Sequence, residues 1–495
     1  GSKKSTKETE RVLYNSIRKK TEKEAVMCED KGDVLWQGEK TRLNPEDYSV
    51  VVKRGENGVY YLPEDFFSEI MNQPLSEDGT EIGEMTENGV RYVAAQAAAE
   101  KAGLQYYEKD GLLVIGEGKE RFTGEEEALM RQVFTAPNYP EPSDGYKYTR
   151  STVQYSDYTK NGISLGSPCI IELGDGTLLA SYDYNGANYK VQTGRSNDVG
   201  VCISEDGGKT WTKQGQIENM IWASIFENNG ALYAIGRETT TGKVGIAQST
   251  DLGKSWSTAA ESIICSDVIS AHCAPTPVLK VNGRIYRAFE DSANEDGIAK
   301  WTYTKRAFIM SAAEDSDLMQ ASSWTMSNRV PFEREWMPEE LLYGSQMGYL
   351  EGNAVADKDG SVYDILRIEA DPQSGYACAL KLSPDGKTLT FDRIFEMPCG
   401  KDKFTIRYDT ETEKYVTIGN IKTDPNTPAQ RNVVGLCVSE DLFHWEVAEI
   451  LFVDDSLIPW HESIRFHGIQ YPDFVIDGDD LLVVTRDALE ETTYY

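Results

Sequence analysis

Glu351 and Arg367 are the residues whose types and spacing most readily do chemistry. They lie in LEGNAVADKDGSVYDILRIE, where Asp357-Lys358-Asp359-Gly360 predicts the turn of a hairpin. Antiparallel return over sixteen residues brings Arg367 back to the end of the sheet where Glu351 starts. A guanidinium there can pair with the carboxylate or grip an anionic ligand. Asp183, at the end of the apolar run TLLASYDY, is expected to point a carboxyl off the strand end towards a ligand, though a turn-capping role suits it equally. Arg287 and Glu290 in RIYRAFED are expected to share one strand edge, facing a ligand or each other. Lys403 and Arg407 in KFTIRYD alternate with Phe404 and Ile406, which aims both cations at one face. With Arg287 and Arg367 they make a positive cluster in an otherwise acidic chain, and an anionic ligand explains that better than solubility does. His272 and His467 are two of only four histidines. His467 travels with Gln470, Tyr471 and Asp473 in a strand-like run, although a lone strand histidine is more often structural.

These residues need a scaffold, and the chain is large enough to build one. It has 495 residues, 81 acidic against 50 basic side chains and a net charge of −31. That length suggests two or three domains with a sizeable core. So acidic a chain repels phosphate backbones and shows no Lys/Arg-rich stripe, which argues against nucleic acid. No apolar run is long enough for a membrane helix. Eight cysteines without a CxxC pair read as buried core residues rather than a metal site. No HExxH, Walker A, GxGxxG, GxSxG or EF-hand pattern is present, so zinc peptidase, NTPase, dinucleotide and α/β-hydrolase readings lack support and no cofactor or metal is expected.

Residues 1–29 read as a charged leader, a solvated helix or mobile segment. Residues 30–137 read as a small α+β domain of short strands, a helix in RYVAAQAAAEKAGL, a hairpin turning at Asp110-Gly111, and a short helix over 124–135. NYPEPSDGY is a Pro-rich linker. Residues 148–495 read as all-β. Within them Ser204-Glu205-Asp206-Gly207-Gly208-Lys209-Thr210-Trp211 is echoed 45 residues later by Ser249-Thr250-Asp251-Leu252-Gly253-Lys254-Ser255-Trp256, and a degraded copy spans Ser439 to Trp445. A fixed turn motif at a blade-sized period predicts a β-propeller of five or six blades.

That SxDxGxTW motif resembles the Asp-box of the sialidase (BNR-repeat) superfamily. The runs GSPCIIELGDGTLLASYDY, HCAPTPVLKVNGRIYRAFE, LEGNAVADKDGSVYDILRIE, DKFTIRYD and HGIQYPDFVIDGDDLLVVTR are similar to a bacterial group of sialidase-like glycoside hydrolases. The resemblance implies an exo-acting glycosidase that removes a terminal, acidic sugar from a glycan or polysaccharide, secreted or at the cell surface. Asp183 or Glu290 would then protonate the leaving oxygen, and Glu351 would serve as base, alone or by activating Tyr471. Arg287, Arg367, Lys403 and Arg407 would hold the sugar, with His272, His467 and Gln470 on its hydroxyls. Where sialidases carry Arg-Ile-Pro, this chain reads Gly166-Ser167-Pro168, which argues against sialic acid itself. Relatives of this group carry a further polar motif and closing strand after the last run. The run YLPEDFF, then an alanine-rich helix, then YYEKDGLLVI resembles the copper amine oxidase N-terminal-like (stalk) domain, in a stretch with no histidine to bind copper. The contrasting expectations are a tethered, non-catalytic carbohydrate-binding propeller and a scaffold with an exposed apolar rim.

Overall fold

The computed structural model describes residues 6–44, 47, 49–79, 81–135, 149–342, 346–370, 375–423, 429–454, 463–464 and 466–489. The chain divides into two compact units, residues 1–147 with 453–463, and residues 148–452 with 464–495. The Pro-rich linker lies outside the described residues.

The first unit is α+β. A five-stranded sheet runs Glu39–Arg42, Asp33–Trp36, Glu24–Cys28, Leu112–Gly116, Gln105–Lys109, and a four-stranded sheet runs Lys53–Arg54, Tyr60–Pro63, Val90–Ala94, Glu84–Glu87. The expected leader is part of this unit. Its helix, Thr6–Thr21, buries Tyr14 and Ile17 in one cluster with Leu129 and Val133 of the helix Gly124–Thr135, and Glu24–Cys28 is the sheet's central strand. The abundant Lys, Arg and Glu hid those two apolar residues, which lie three positions apart on one helix face. The alanine-rich helix is also shorter than its composition suggests. It covers Ala95–Lys101, while Val90–Ala94 is a strand, because the β-branched and aromatic VRYV pairs with Tyr60–Pro63. The hairpin turn at Asp110-Gly111 has both residues at positive φ, 49° and 82°, as a two-residue turn requires.

The second unit is a six-bladed β-propeller. Blade 1 has a divided inner strand, Ser164–Leu165 and Cys169–Glu172, followed by Leu178–Asn185, Asp198–Ser204 and Thr212–Glu218. Blade 2 is Met220–Asn228, Ala231–Glu238, Val244–Ser249 and Ile263–Cys265. Blade 3 again has a divided inner strand, Ala271–His272 and Leu279–Val281, before Arg284–Asp291, Arg306–Ala313 and Trp324–Met326. Blade 4 is Met347–Ala356, Val362–Ala370, Tyr376–Leu382 and Leu389–Glu396. Blade 5 is Thr405–Asp409, Lys414–Asn420, Val433–Ser439 and Glu446–Val453. Blade 6 is the pair His467–Asp477 and Asp480–Leu489. The second strands of blades 1 to 5 are buried on both faces because neighbouring sheets stack on them. Ile235 and Ile246 of blade 2 meet Phe289 and Phe308 of blade 3, and Leu366 and Cys378 of blade 4 meet Tyr286 and Ile309 of blade 3. The ring is closed within the described residues, where the Ile170 N–H of blade 1 donates to Asp473 Oδ2 of blade 6 at 2.9 Å.

The repeated turns join the third and fourth strands of their blades. In the first, Asp206 Oδ1 accepts from Ser204 Oγ (2.8 Å) and Thr210 N (2.9 Å), and Trp211 Nε1 donates to Gly208 O at 3.1 Å. Asp251 and Trp256 repeat this in blade 2, and Asp441 and Trp445 in blade 5, where Leu442 takes the positive φ of 77° that glycine takes elsewhere. Blade 4 holds a fourth copy without tryptophan, Ser383 Oγ to Asp385 Oδ1 at 2.6 Å. Strand register sets these turns at the opposite end of the blades from Trp222, Glu351 and Tyr471, since Leu232 pairs with Ser249 while Arg237 pairs with Ile221. Trp256→Ala is therefore expected to lower stability by about 2–3 kcal/mol, the low side for a half-buried aromatic, while leaving the opposite end of the blades undisturbed. Chemical denaturation beside the circular dichroism of the native state checks this.

Candidate active site

Blades 2, 4 and 6 share one backbone device. In each, the inner strand slips register at a bulge, between Ile221 and Ser224, Leu350 and Asn353, and Gln470 and Asp473. One non-glycine residue in each bulge is left-handed: Trp222 at φ 58°, Glu351 at 57° and Tyr471 at 56°. Such conformations cost of order 1–2 kcal/mol each and persist where surroundings force them, so their recurrence at one end of the ring marks a built site. Opposite the residue before each bulge stands an arginine, with Ile221 facing Arg237, Leu350 facing Arg367 and Gln470 facing Arg486. Gly352 completes the middle bulge because a Cβ there would lie 2.0 Å from Asp364 Oδ1.

The Glu351 carboxylate is fully buried between two of these elements. Tyr471 Oη donates to its Oε1 at 2.5 Å, and Arg367 Nε lies 3.0 Å from its Oε2. Burial pushes its pKa up, but Arg367, His272 and the Tyr471 hydroxyl outweigh burial and leave it below the usual carboxylate value. The Tyr471 phenol is driven the other way, by burial first and by Glu351 second, so proton and base stand in contact. Arg367 also faces Asp402, which pairs with Arg431 at 2.9 Å and with Lys422. Gln470 Oε1 accepts from both Arg431 and Arg486, and the Arg486 guanidinium lies 4.4 Å from the centre of the Tyr471 ring.

A chain of contacts leads from Glu351 to Asp183. The Glu351 N–H donates to Glu290 Oε1 at 2.7 Å, and His272 Nδ1 is 3.0 Å from that same oxygen. The His272 ring packs on Trp222 at 4.8 Å, and the Trp222 N–H donates to Asp183 Oδ1 at 3.0 Å. Asp183 Oδ2 has no partner, and burial lifts this carboxyl to a pKa of about 8. It is therefore protonated at neutral pH, while Glu351 is ionised. His272 is held neutral-leaning, its pKa lowered by burial and Lys305 against the pull of Glu290.

The remaining expected residues are placed differently. Arg287 does not face Glu290, because residues three apart on a strand point to opposite faces. It turns into blade 2, donating to Ser224 Oγ at 3.1 Å and to the carbonyls of Ala274 and Ala288, and it holds no ligand group. Glu290 Oε1 accepts from the Glu351 N–H and lies against His272 Nδ1. Lys403 and Arg407 are not in one cluster with Arg367. Lys403 Nζ donates to Thr405 Oγ1 and Pro472 O, both at 2.7 Å, directly behind Tyr471, and burial lowers its pKa to about 8. Arg407 pairs with Asp473 at 3.1 Å. His467 Nε2 meets Asp487 Oδ1 at 2.6 Å. The cations at the mouth are instead Arg237, Lys305, Arg367, Lys422, Arg431 and Arg486, of which only Arg367 stood out in the sequence. All eight cysteines are buried free thiols, and no described helix is long and apolar enough to cross a membrane.

Six antiparallel blades, with Ser–Asp–Trp turns at one end and a Tyr–Glu–Arg constellation at the other, make the second unit a β-propeller with a polar site at one end of its ring. No family model and no curated protein matches the chain. Among solved structures, a protein of unknown function from Dyadobacter fermentans matches at 14% identity over 67% of this chain and 92% of that one, TM-score 0.46. The Hadza microbial sialidase Hz136 matches at 13% identity over 66% and 63%, TM-score 0.46. A Penicillium chrysogenum alpha-L-arabinanase complexed with arabinobiose matches at 12% identity over 66% and 92%, TM-score 0.42. These are likenesses of fold.

Proposed function

We propose that this protein is a glycoside hydrolase cleaving a terminal, acidic sugar from a glycan, with Tyr471 as nucleophile, Glu351 as its base and Asp183 as acid. The observation that carries the reading is the buried Tyr471–Glu351 hydrogen bond held by Arg367, on two left-handed bulges that face the same end of the ring as the protonated Asp183. In the first step Glu351 takes the phenolic proton as Tyr471 Oη attacks the anomeric carbon, and Asp183 gives its proton to the departing glycosidic oxygen. In the second, ionised Asp183 takes a proton from water, the water oxygen replaces Tyr471 at the anomeric carbon, and the phenolate recovers its proton from Glu351. Two displacements retain anomeric configuration. The developing positive charge on the sugar ring faces a neighbourhood where Arg367 is already balanced by Glu351 and Asp402.

A panel of 2-fluoro aryl glycosides tests this. One member is expected to release its aryl group in a burst and to leave the protein heavier by one fluorosugar, with the label on the peptide containing Tyr471. A label on another residue, or a sensitive absence of turnover across acidic and neutral sugars, overturns the assignment and leaves a carbohydrate-binding propeller.

A further inference from the structure

Among the six cations at the mouth, Arg367 meets Glu351 and Asp402, Arg431 and Lys422 meet Asp402, and Arg486 donates to Gln470. The other two have no carboxylate contact among the described residues. Arg237 donates to Ser270 Oγ (2.6 Å) and Ala271 O (2.8 Å), and Lys305 to Ser292 Oγ (3.1 Å); neither has a carboxylate in ion-pair reach among the described residues. Lys305 is only 4% exposed, and an ammonium with three donors is left with one acceptor there. The two charges are near enough to repel, and burial draws both below their usual pKa against the longer-range pull of Glu290 and Glu351 on Lys305 and of Glu238 on Arg237.

Two indole rings complete the surroundings. The Arg237 guanidinium lies 5.9 Å from the Trp222 ring centre, and Lys305 Nζ lies 6.0 Å from that of Trp301. Trp301 is 62% exposed and left-handed, at φ 41°. Its loop is pinned on both sides of it. Lys300 N donates to Thr304 Oγ1, Thr304 Oγ1 to Ser292 O, and the Thr302 carbonyl lies where a Cβ on Gly348 would sit 2.4 Å away. A tryptophan held out into solvent beside a buried cation that no carboxylate contacts directly is a costly arrangement for folding alone. Indole faces stack on sugar rings, and ammonium and guanidinium groups take carboxylate or sulfate oxygens.

We infer that Arg237 and Lys305, flanked by Trp222 and Trp301, form a second subsite for an anionic sugar next to the one cleaved. The substrate class is then a glycan carrying a carboxylate or sulfate on the residue beside its terminal sugar. This rests on the hydrolase reading for its place beside the reacting centre, yet it is testable by binding alone.

The measurement is calorimetric titration of the full chain carrying Glu351→Gln. The probes are a uronic-acid disaccharide, the same disaccharide with its carboxyl reduced to an alcohol, and a neutral disaccharide bearing one sulfate. At least one anionic probe is expected to bind about tenfold or more tightly than the reduced one, the scale of one charge-assisted contact. Whichever anionic probe does so identifies the group. Arg237→Gln and Lys305→Met are each expected to erase that preference, and Trp301→Ala to weaken charged and reduced probes alike. Trp301 is exposed, so its variant reads the subsite even where Lys305→Met fails to fold. Equal binding of all probes overturns the inference, and so does a preference that survives Arg237→Gln. Turnover by the unsubstituted chain is scored separately. An Arg237-dependent preference without any hydrolysis keeps the subsite and removes the hydrolase reading, while hydrolysis without the preference does the reverse.

Discussion

Glu351→Gln and Tyr471→Phe are each expected to cut turnover by roughly 10²–10⁴-fold, the range for losing a positioned base or its partner, and the double variant is expected to fall hardly further. Tyr471 Oη donates to Glu351 Oε1 at 2.5 Å, and the proposed step passes that proton from one to the other, so removing either ends the same step. Gln keeps the size of Glu351 and can still meet Arg367, and Phe keeps the ring under Arg486. Folding should survive both, and circular dichroism checks that before kinetics are read. Losses that multiply in the double variant would show the residues acting independently, and the shared-proton mechanism would fail.

Asp183→Asn removes the acid. Substrates with poor leaving groups are expected to lose roughly 10²–10⁴ in rate, and activated aryl glycosides much less, because they depart without a proton. The alkaline limb of kcat/KM, set near pH 8 by this carboxyl, should vanish as well. Stability moves with it. Folded Asp183 holds its proton up to about pH 8, whereas an unfolded aspartate releases it at roughly pH 3.9. Between these values the folded state binds more protons, so this residue's contribution to stability declines as pH rises through that window. The Asn variant should lack that decline, and melting temperatures of both proteins at pH 5 and pH 9 measure it. An unchanged alkaline limb in the variant would assign the acid to another group.

Much of the fold was legible because propellers write it locally. A Ser–Asp–Gly–Trp turn is specified by eight neighbouring residues, and three of its four copies stand out by eye. Glu351 and Arg367 were legible for the same reason, since a short hairpin fixes which residues meet. Arg287 was misplaced through strand parity, three positions being an odd number. Lys403 and Arg407 were misplaced because alternation gives a face but not a partner, and their partners, Pro472 and Asp473, come from another blade 66 or more residues away. Arg237 and Arg486 carried a usable signal. Each follows its left-handed residue by 15 positions, and Arg367 follows Glu351 by 16. Nothing local marks Trp222 or Tyr471 as left-handed, because the bulge that twists them is imposed by blade geometry. The apolar residues Tyr14 and Ile17 were lost in a run of charge, and with them the place of the first helix in its unit.

Tyr471 hangs on the seam of the ring. Two residues on, Asp473 fastens the last blade to the first through Ile170 and to the fifth through Arg407, and the intervening Pro472 carbonyl is clasped by Lys403 and Thr405. The proposed nucleophile and the latch are therefore one piece of chain. A molecule whose ring has sprung open still has Glu351 and Arg367 facing each other in blade 4, but it has lost the hydroxyl they serve. The clasp behind the site therefore ties the position of the tyrosine hydroxyl to closure of the ring.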